Sequence, residues 1–318
     1  MIAAVTLAMM LGASTDQTID VKKGVRLEVH TFTGDVNVKV WNRDAVRVEA
    51  EHSDRQTVEV RPGDQSVVVR SRSRVGPTSS VDFTITVPGW MAVNVDGVGT
   101  DVMLDGVGGD VNVETTRGDI HVRGGSGFIS VKSVQGRILV ERAKGRIEAQ
   151  TVNDNVQVAD SSGDLTVTTT NGSIVLERID TGNLDASTVN GTIAFDGSIR
   201  DKGSYRLTTH NGGVSMAMPE KVNATLRVRT YGGSFRSTFP LKLDDQDRQN
   251  RFTDLARRSL LVGQEEVSRE LLRQRAGAGQ PPVHDVLDRR HHDARDAQAE
   301  VRVEGLVFGG DDRLTKQR

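Results

Sequence analysis

Glycine returns every nine residues through the middle of the chain. Gly109, Gly118, Gly127, Gly136 and Gly145 set the beat, Asp154 takes the next place, and Gly163 and Gly172 follow. The beat continues, slightly stretched, at Gly182, Gly191, Gly213 and Gly233. Two residues after each beat stands an apolar side chain: Val111, Ile120, Ile129, Ile138, Ile147, Val156, Leu165, Ile174, Leu184, Ile193. Two further on stands another: Val113, Val122, Val131, Val140, Ala149, Val158, Val167, Leu176, Ala186, Phe195. Alternation of period two is a strand signal. The glycine marks a corner, where a positive φ is reached without Cβ strain. No proline interrupts the ladders between Trp90 and Met218.

A longer period lies beneath the beat. Every second corner carries Ser or Thr three residues ahead: Thr115, Ser133, Thr151, Thr169, Thr188, Thr209, Thr230, at spacings of 18, 18, 18, 19, 21 and 21. Arg117, Gln135, Asn153, Asn171, Asn190 and Asn211 follow at the same corner, and the intervening corners differ in chemistry. Two half-units therefore make one coil of about 18 residues, with like residues stacked one strand spacing (~4.8 Å) apart. The predicted fold is all-β: a parallel β-solenoid with two strands per coil. A barrel or sandwich also accommodates nine-residue strand–turn units, but gives no reason for alternate corners to match. A single coil buries almost nothing; stacking merges the apolar positions into one narrow core, each worth ~1.5–3 kcal/mol when fully buried. Seven or eight coils make a rod of roughly 35–40 Å.

The flanks lack the beat. Residues 20–95 hold further strand-like runs, expected to form the N-terminal coils and cap of the rod ahead of the repeat region, 96–240. The segment Ile2–Ala13, within a signal-like stretch 1–15, is too short to span a bilayer and resembles the apolar core of a secretory signal, with small residues at Gly12, Ala13 and Ser14 but no basic region before it. The residues 254–318 hold 11 Arg and one Lys, and lose the strand alternation. This tail is expected to be irregular, with a helix over Leu255–Ala276, and its abrupt onset reads as a shifted reading frame.

Composition closes several routes to function. The 318 residues contain no cysteine, which excludes disulfides, thiolate catalysis, Cys-based zinc sites and a lipidated N-terminal Cys. A net charge of −2 exerts no general pull on nucleic acid, and Arg70, Arg72 and Arg74 are too short a basic run to change that. Aromatics at 4% argue against an aromatic-lined sugar cleft. The residue after each beat runs Asp110, Asp119, Phe128, Arg137, Arg146, Asn155, Asp164; arginine there is incompatible with a calcium-binding β-roll. Asp105, Asp110, Glu114 and Asp119 are spread over separate strands, unlike the clustered carboxylates of a pectin-lyase-like enzyme. Glu141/Arg142 and Glu177/Arg178 read as outward ion-pair rows, and His291-His292 lies in the atypical tail. No cofactor or metal is expected.

The runs DFTITVP (Asp82–Pro88), GDVNVETTRGDI (Gly109–Ile120), STVNGTI (Ser187–Ile193) and TTHNGGV (Thr208–Val214) resemble the bacterial putative adhesin family with β-strand repeats, over roughly Asp20–Thr253. The resemblance implies an exported, envelope-associated solenoid without catalytic residues. On one sheet the outward residue between the two apolar positions runs His121, Leu139, Gln157, Val175, Ala194; on the other it runs Asn112, Ser130, Glu148, Thr166, Asp185. The partly apolar row makes His121, Leu139, Val175 and Ala194 the candidate partner-binding residues. The expected partner is an envelope protein, a surface glycan or a second copy. The expected location is the periplasm or cell surface, without a lipid anchor or transmembrane span. The alternatives are a polysaccharide-acting β-helix enzyme and an envelope-stress accessory protein.

Overall fold

The computed structural model describes residues 13–74, 79–218, 224–231, 236–237 and 298–305. The signal-like run up to Gly12, the predicted helix over Leu255–Ala276 and His291-His292 lie outside the described residues. Every element among the described residues is a strand. The N-terminal strands are β1 (Ala13–Asp20), β2 (Arg26–His30), β3 (Thr33–Trp41), β4 (Ala45–His52), β5 (Gln56–Pro62), β6 (Ser66–Ser73) and β7 (Val81–Pro88). The repeat region supplies β8 (Val93–Asp96), β9 (Gly99–Asp105), β10 (Val111–Arg117), β11 (Ile120–Arg123), β12 (Phe128–Gln135), β13 (Ile138–Glu141), β14 (Lys144–Gln150), β15 (Val156–Ala159) and β16 (Ser162–Thr168). It continues through β17 (Ile174–Asn190), β18 (Ile193–Asn211) and β19 (Val214–Ala217); β20 (Ala224–Tyr231) and β21 (Gln298–Gly305) complete the set.

The repeat region is a parallel β-solenoid with two ladders. In the first, Val93, Val111, Ile129, Ile147, Leu165, Leu184 and Tyr205 stand in register on β8, β10, β12, β14, β16, β17 and β18. In the second, Val102, Ile120, Ile138, Val156, Ile174, Ile193 and Val214 do the same on β9, β11, β13, β15, β17, β18 and β19. The long strands β17 and β18 bend round a corner and serve both ladders. All twenty apolar positions read from the beat are buried. The insertion that stretches the spacing to 21 carries its own filling: buried Tyr205 meets Phe195 edge-on at 5.9 Å and donates its hydroxyl proton to the Thr181 carbonyl at 2.5 Å.

The beat glycines answer to a different constraint from the expected one. Of those among the described residues, only Gly118, Gly145 and Gly163 have positive φ. At Gly136, Gly172 and Gly191 a Cβ would overlap the carbonyl oxygen of the preceding coil, at Gly118, Asp154 and Gly172 respectively. Close approach of stacked backbones selects glycine there. The same test moves one assignment: Gly212 packs on the Gly191 carbonyl, whereas Gly213 has open space, so the stack passes through Gly212. The left-handed residues lie mostly at the other corner, at Gly106, Gly124, Arg142, Asp160 and Arg178. Those five positions are 18 residues apart, so the stack imposes one φ on three non-glycine residues.

The N-terminal cap is interleaved. β2 lies between β6 and β8, and β3 between β7 and β9, all parallel. The coil made first in sequence is thus the second in space, and the chain passes over it between Pro88 and Val93. Outside it, β4 pairs antiparallel with β7, β1 with β4, and β5 with β6. The opposite end corrects two expectations. Residues Gln298–Gly305 of the supposedly irregular tail form a strand, inserted antiparallel between β18 and β20. Thr209 and Thr230 therefore face each other across Ala299 instead of stacking directly. The alternation of Ala299, Val301 and Val303 is a strand signal too brief to stand out from an Arg-rich surround.

These contacts predict opposite outcomes for two neighbouring substitutions. Gly191→Ala should destabilise the domain by about 2–3 kcal/mol, because the methyl group meets a fixed backbone oxygen. Gly213→Ala should be close to neutral. Urea-denaturation midpoints of the two variants check this.

Candidate functional site

The expected partner-binding residues form a single column. His121↔Leu139, Leu139↔Gln157, Gln157↔Val175 and Val175↔Ala194 are direct cross-strand neighbours on the outward side of the second ladder. All five are half-buried. The column extends through Met103, which faces His121 and is 45% exposed. Met103 stands eighteen residues before His121, so the repeat already pointed to it. His121 Nε2 lies 3.0 Å from Glu141 Oε2, so Glu141 pairs with the histidine and not with Arg142 as the adjacent-pair pattern had it. Arg178 keeps the adjacent pair, its Nη1 3.3 Å from Glu177 Oε2, and also reaches back one coil, its guanidinium gripping both carboxylate oxygens of Asp160 and holding that carboxyl below the usual range. The row on the first ladder is polar: Asn112 donates to Asn94 at 2.7 Å, and Ser130 is covered at 4% exposure.

The corner between the two ladders is the more distinctive surface. Inside it, Ser133, Thr151, Thr169, Thr188 and Thr209 donate their hydroxyls to the carbonyls of Gly118, Gly136, Asp154, Gly172 and Gly191 at 2.9–3.2 Å. These hydroxyls are therefore structural. Outside it, Asn171 donates to Asn153, Asn190 to Asn171 and Asn211 to Asn190 at 2.7–2.8 Å, an exposed amide ladder. At the tip between the two columns an exposed ridge follows the axis, including Phe32 (52%), Val98 (41%), Val134 (42%) and Val189 (42%). Sequence reasoning missed this ridge because these residues fall outside the alternating pattern, in the corner residues read only as turns. Beside the amide ladder lies a shallow cleft of about 450 Å³, lined by Asn155, Asn171, Ser173, Asn190, Thr192 and Asn211 over a floor of glycines.

Aspartates meet at one edge of the second ladder. The registers place Asp82, Asp35, Asp101 and Asp119 in successive coils of one column. Asp82 accepts the backbone N–H of Asp35, Asp101 that of Asp119, and Asp119 that of Arg137, at 2.8–3.0 Å. Asp110 does the same for Phe128, and Asn155 for Ser173. The polar residue after the beat thus satisfies a corner N–H one coil away. Among the described residues no group of three or more His, Asp or Glu is placed to hold a metal ion.

The family model for Toastrack DUF4097 matches residues 26–257. The chain belongs to the Toastrack DUF4097 family. Its matched region runs from β2 past β20 and ends where the Arg-rich tail begins. Among solved structures, a putative adhesin from Bacteroides fragilis is 15% identical, with 65% of this chain and 95% of that one covered and a TM-score of 0.38. A putative cell adhesion protein from Clostridium sporogenes is 7% identical, with 66% and 100% covered and a TM-score of 0.30. No curated protein matches the chain.

The aspartate column of this Toastrack domain yields a pH prediction. Desolvation, followed by the charges of Asp82 and Asp101, raises the pKa of Asp35. A carboxyl whose folded pKa lies above its unfolded value weakens the fold once ionised, and that penalty fades as pH falls through the folded pKa. Asp35→Asn should therefore be slightly stabilising at pH 7, by a few tenths of a kcal/mol. The gain should disappear as the pH is lowered through the carboxylate range, measured as the difference in melting temperature between variant and parent.

Proposed function

We propose that this domain is an exported, non-enzymatic interaction module of the bacterial envelope. Its outward column of His121, Leu139, Val175 and Ala194 contacts an envelope protein. The observation that carries this reading is the register: residues separated by 18, 19 or 36 in sequence line up on adjacent or next-nearest strands as one outward row. A row of half-buried side chains with apolar Leu139, Val175 and Ala194 in it is a surface that a partner can cover with little loss of conformational freedom. The carboxylates that do gather, in the aspartate column, accept corner N–H groups, which supports a structural rather than an acid–base role for them. No helix among the described residues is long and apolar enough to cross a membrane. The reading accordingly gives the domain a place in the periplasm or at the cell surface.

The double variant Leu139→Asp/Val175→Asp tests the assignment. In-cell crosslinking should capture envelope proteins with the parent chain and lose them with the variant, while the far-ultraviolet circular dichroism of both stays that of β-sheet. A folded variant that keeps all its crosslinked partners removes the column from the function.

A further inference from the structure

We infer that the asparagine corner is a binding site for a neutral, linear polysaccharide. This site is separate from the outward column and does not depend on it. Across four coils the corner holds no Lys or Arg and a single carboxylate, Asp154, whose Oδ1 accepts the Asn155 N–H at 2.7 Å; the amide ladder comprises Asn153, Asn171, Asn190 and Asn211, and the cleft adds Asn155, Ser173 and Thr192. A nucleic acid requires cations that the cleft lacks. An acidic glycan would likewise find no counter-charge in it.

The hydrogen-bonding capacity fits sugar hydroxyls. An asparagine side chain has two N–H donors and an oxygen with two lone pairs. The ladder uses one donor and one lone pair at each interior asparagine, so Asn171 and Asn190 each keep one amide N–H and one acceptor lone pair that the ladder does not use. Both members of the Ser173–Thr192 hydroxyl pair, 3.1 Å apart, border the same cleft. Hydroxyls, which both donate and accept, match such a mixed surface. Beside it stands the exposed methyl surface of Val189, which can receive the apolar face of a sugar ring.

The spacing discriminates between extended ligands. The donor–acceptor sets recur once per coil, at about 4.8 Å. A peptide strand lying along the axis advances ~3.3 Å per residue, so only every third residue meets an equivalent set, two coils on. An extended β-1,4-linked sugar chain advances by nearly one coil per sugar, so that successive sugars meet equivalent amides. Repetition then multiplies a weak single contact.

Affinity electrophoresis of the full chain through gels containing glucomannan, hydroxyethylcellulose or polygalacturonate tests the inference. Glucomannan or hydroxyethylcellulose should retard the parent, and polygalacturonate should not. Asn171→Ser/Asn190→Ser, which shortens the ladder without adding charge, should weaken the retardation at least tenfold. Leu139→Asp/Val175→Asp, whose own mobility is set by its two added charges, should be retarded relative to a polymer-free gel to the same degree as the parent, which separates failure here from failure of the protein-binding column. The melting temperature of each variant establishes that it is folded; if the serine pair unfolds, Thr192→Arg, which fills the cleft from its rim, takes its place with the same tenfold loss expected. No retardation by either neutral polymer, equal retardation of parent and folded variants, or retardation by polygalacturonate alone would overturn the inference. So would self-association of the parent that the serine pair abolishes without any polymer effect, because the occupant would then be a second copy.

Discussion

Each coil of the rod gives its backbone hydrogen bonds to the coils on either side, in parallel and in register. Everything else in the molecule follows from that constraint. It fixes glycine where the preceding coil's carbonyl approaches, and hydroxyls where a corner carbonyl needs a donor. It also places left-handed backbone at Arg142 and Arg178, where no local preference asks for it, as well as at Asp160. The apolar core is narrow, two side chains per strand, and becomes continuous only because the stack is.

Stacking also explains why side chains form columns, and why the surface is organised along the axis. A column of like residues holds one chemistry over several coils: amide from Asn153 to Asn211, carboxylate from Asp82 to Asp119 at the start of the second ladder. The amide ladder and the aspartate column differ in what they leave available. The aspartates accept the N–H groups of the next coil, whereas the asparagines pair with one another and keep hydrogen-bonding capacity that the ladder does not use.

The regular part of this architecture was legible in the residues. The spacing of 18 between Thr115, Ser133, Thr151 and Thr169 is the pitch of the stack, and the apolar positions two and four after each beat are the core. The features that stayed hidden share a cause: they depend on which segments become neighbours without a repeat to say so. The insertion of β2 and β3 between later strands is set by matching of unlike coils, Leu27 and Val29 against Val67 and Val69 on one side and Val93 and Val95 on the other. The docking of β21 joins segments almost a hundred residues apart. The ridge of Val98, Val134 and Val189 was hidden for another reason, since a corner residue carries no alternation to mark its direction. The column of His121, Leu139, Val175 and Ala194 was readable because it shares the strand's own period.

The most direct measurement of the stack is a set of spin-label distances in this cysteine-free chain. A label at Asn94 is paired in turn with one at Thr166, Asp185 or Arg206, which stand four, five and six coils along the same column. In-register stacking gives a rising staircase of about 19, 24 and 29 Å. Distances that fail to rise from one pair to the next, as an antiparallel sandwich or meander would give, contradict the solenoid and with it every surface assigned above.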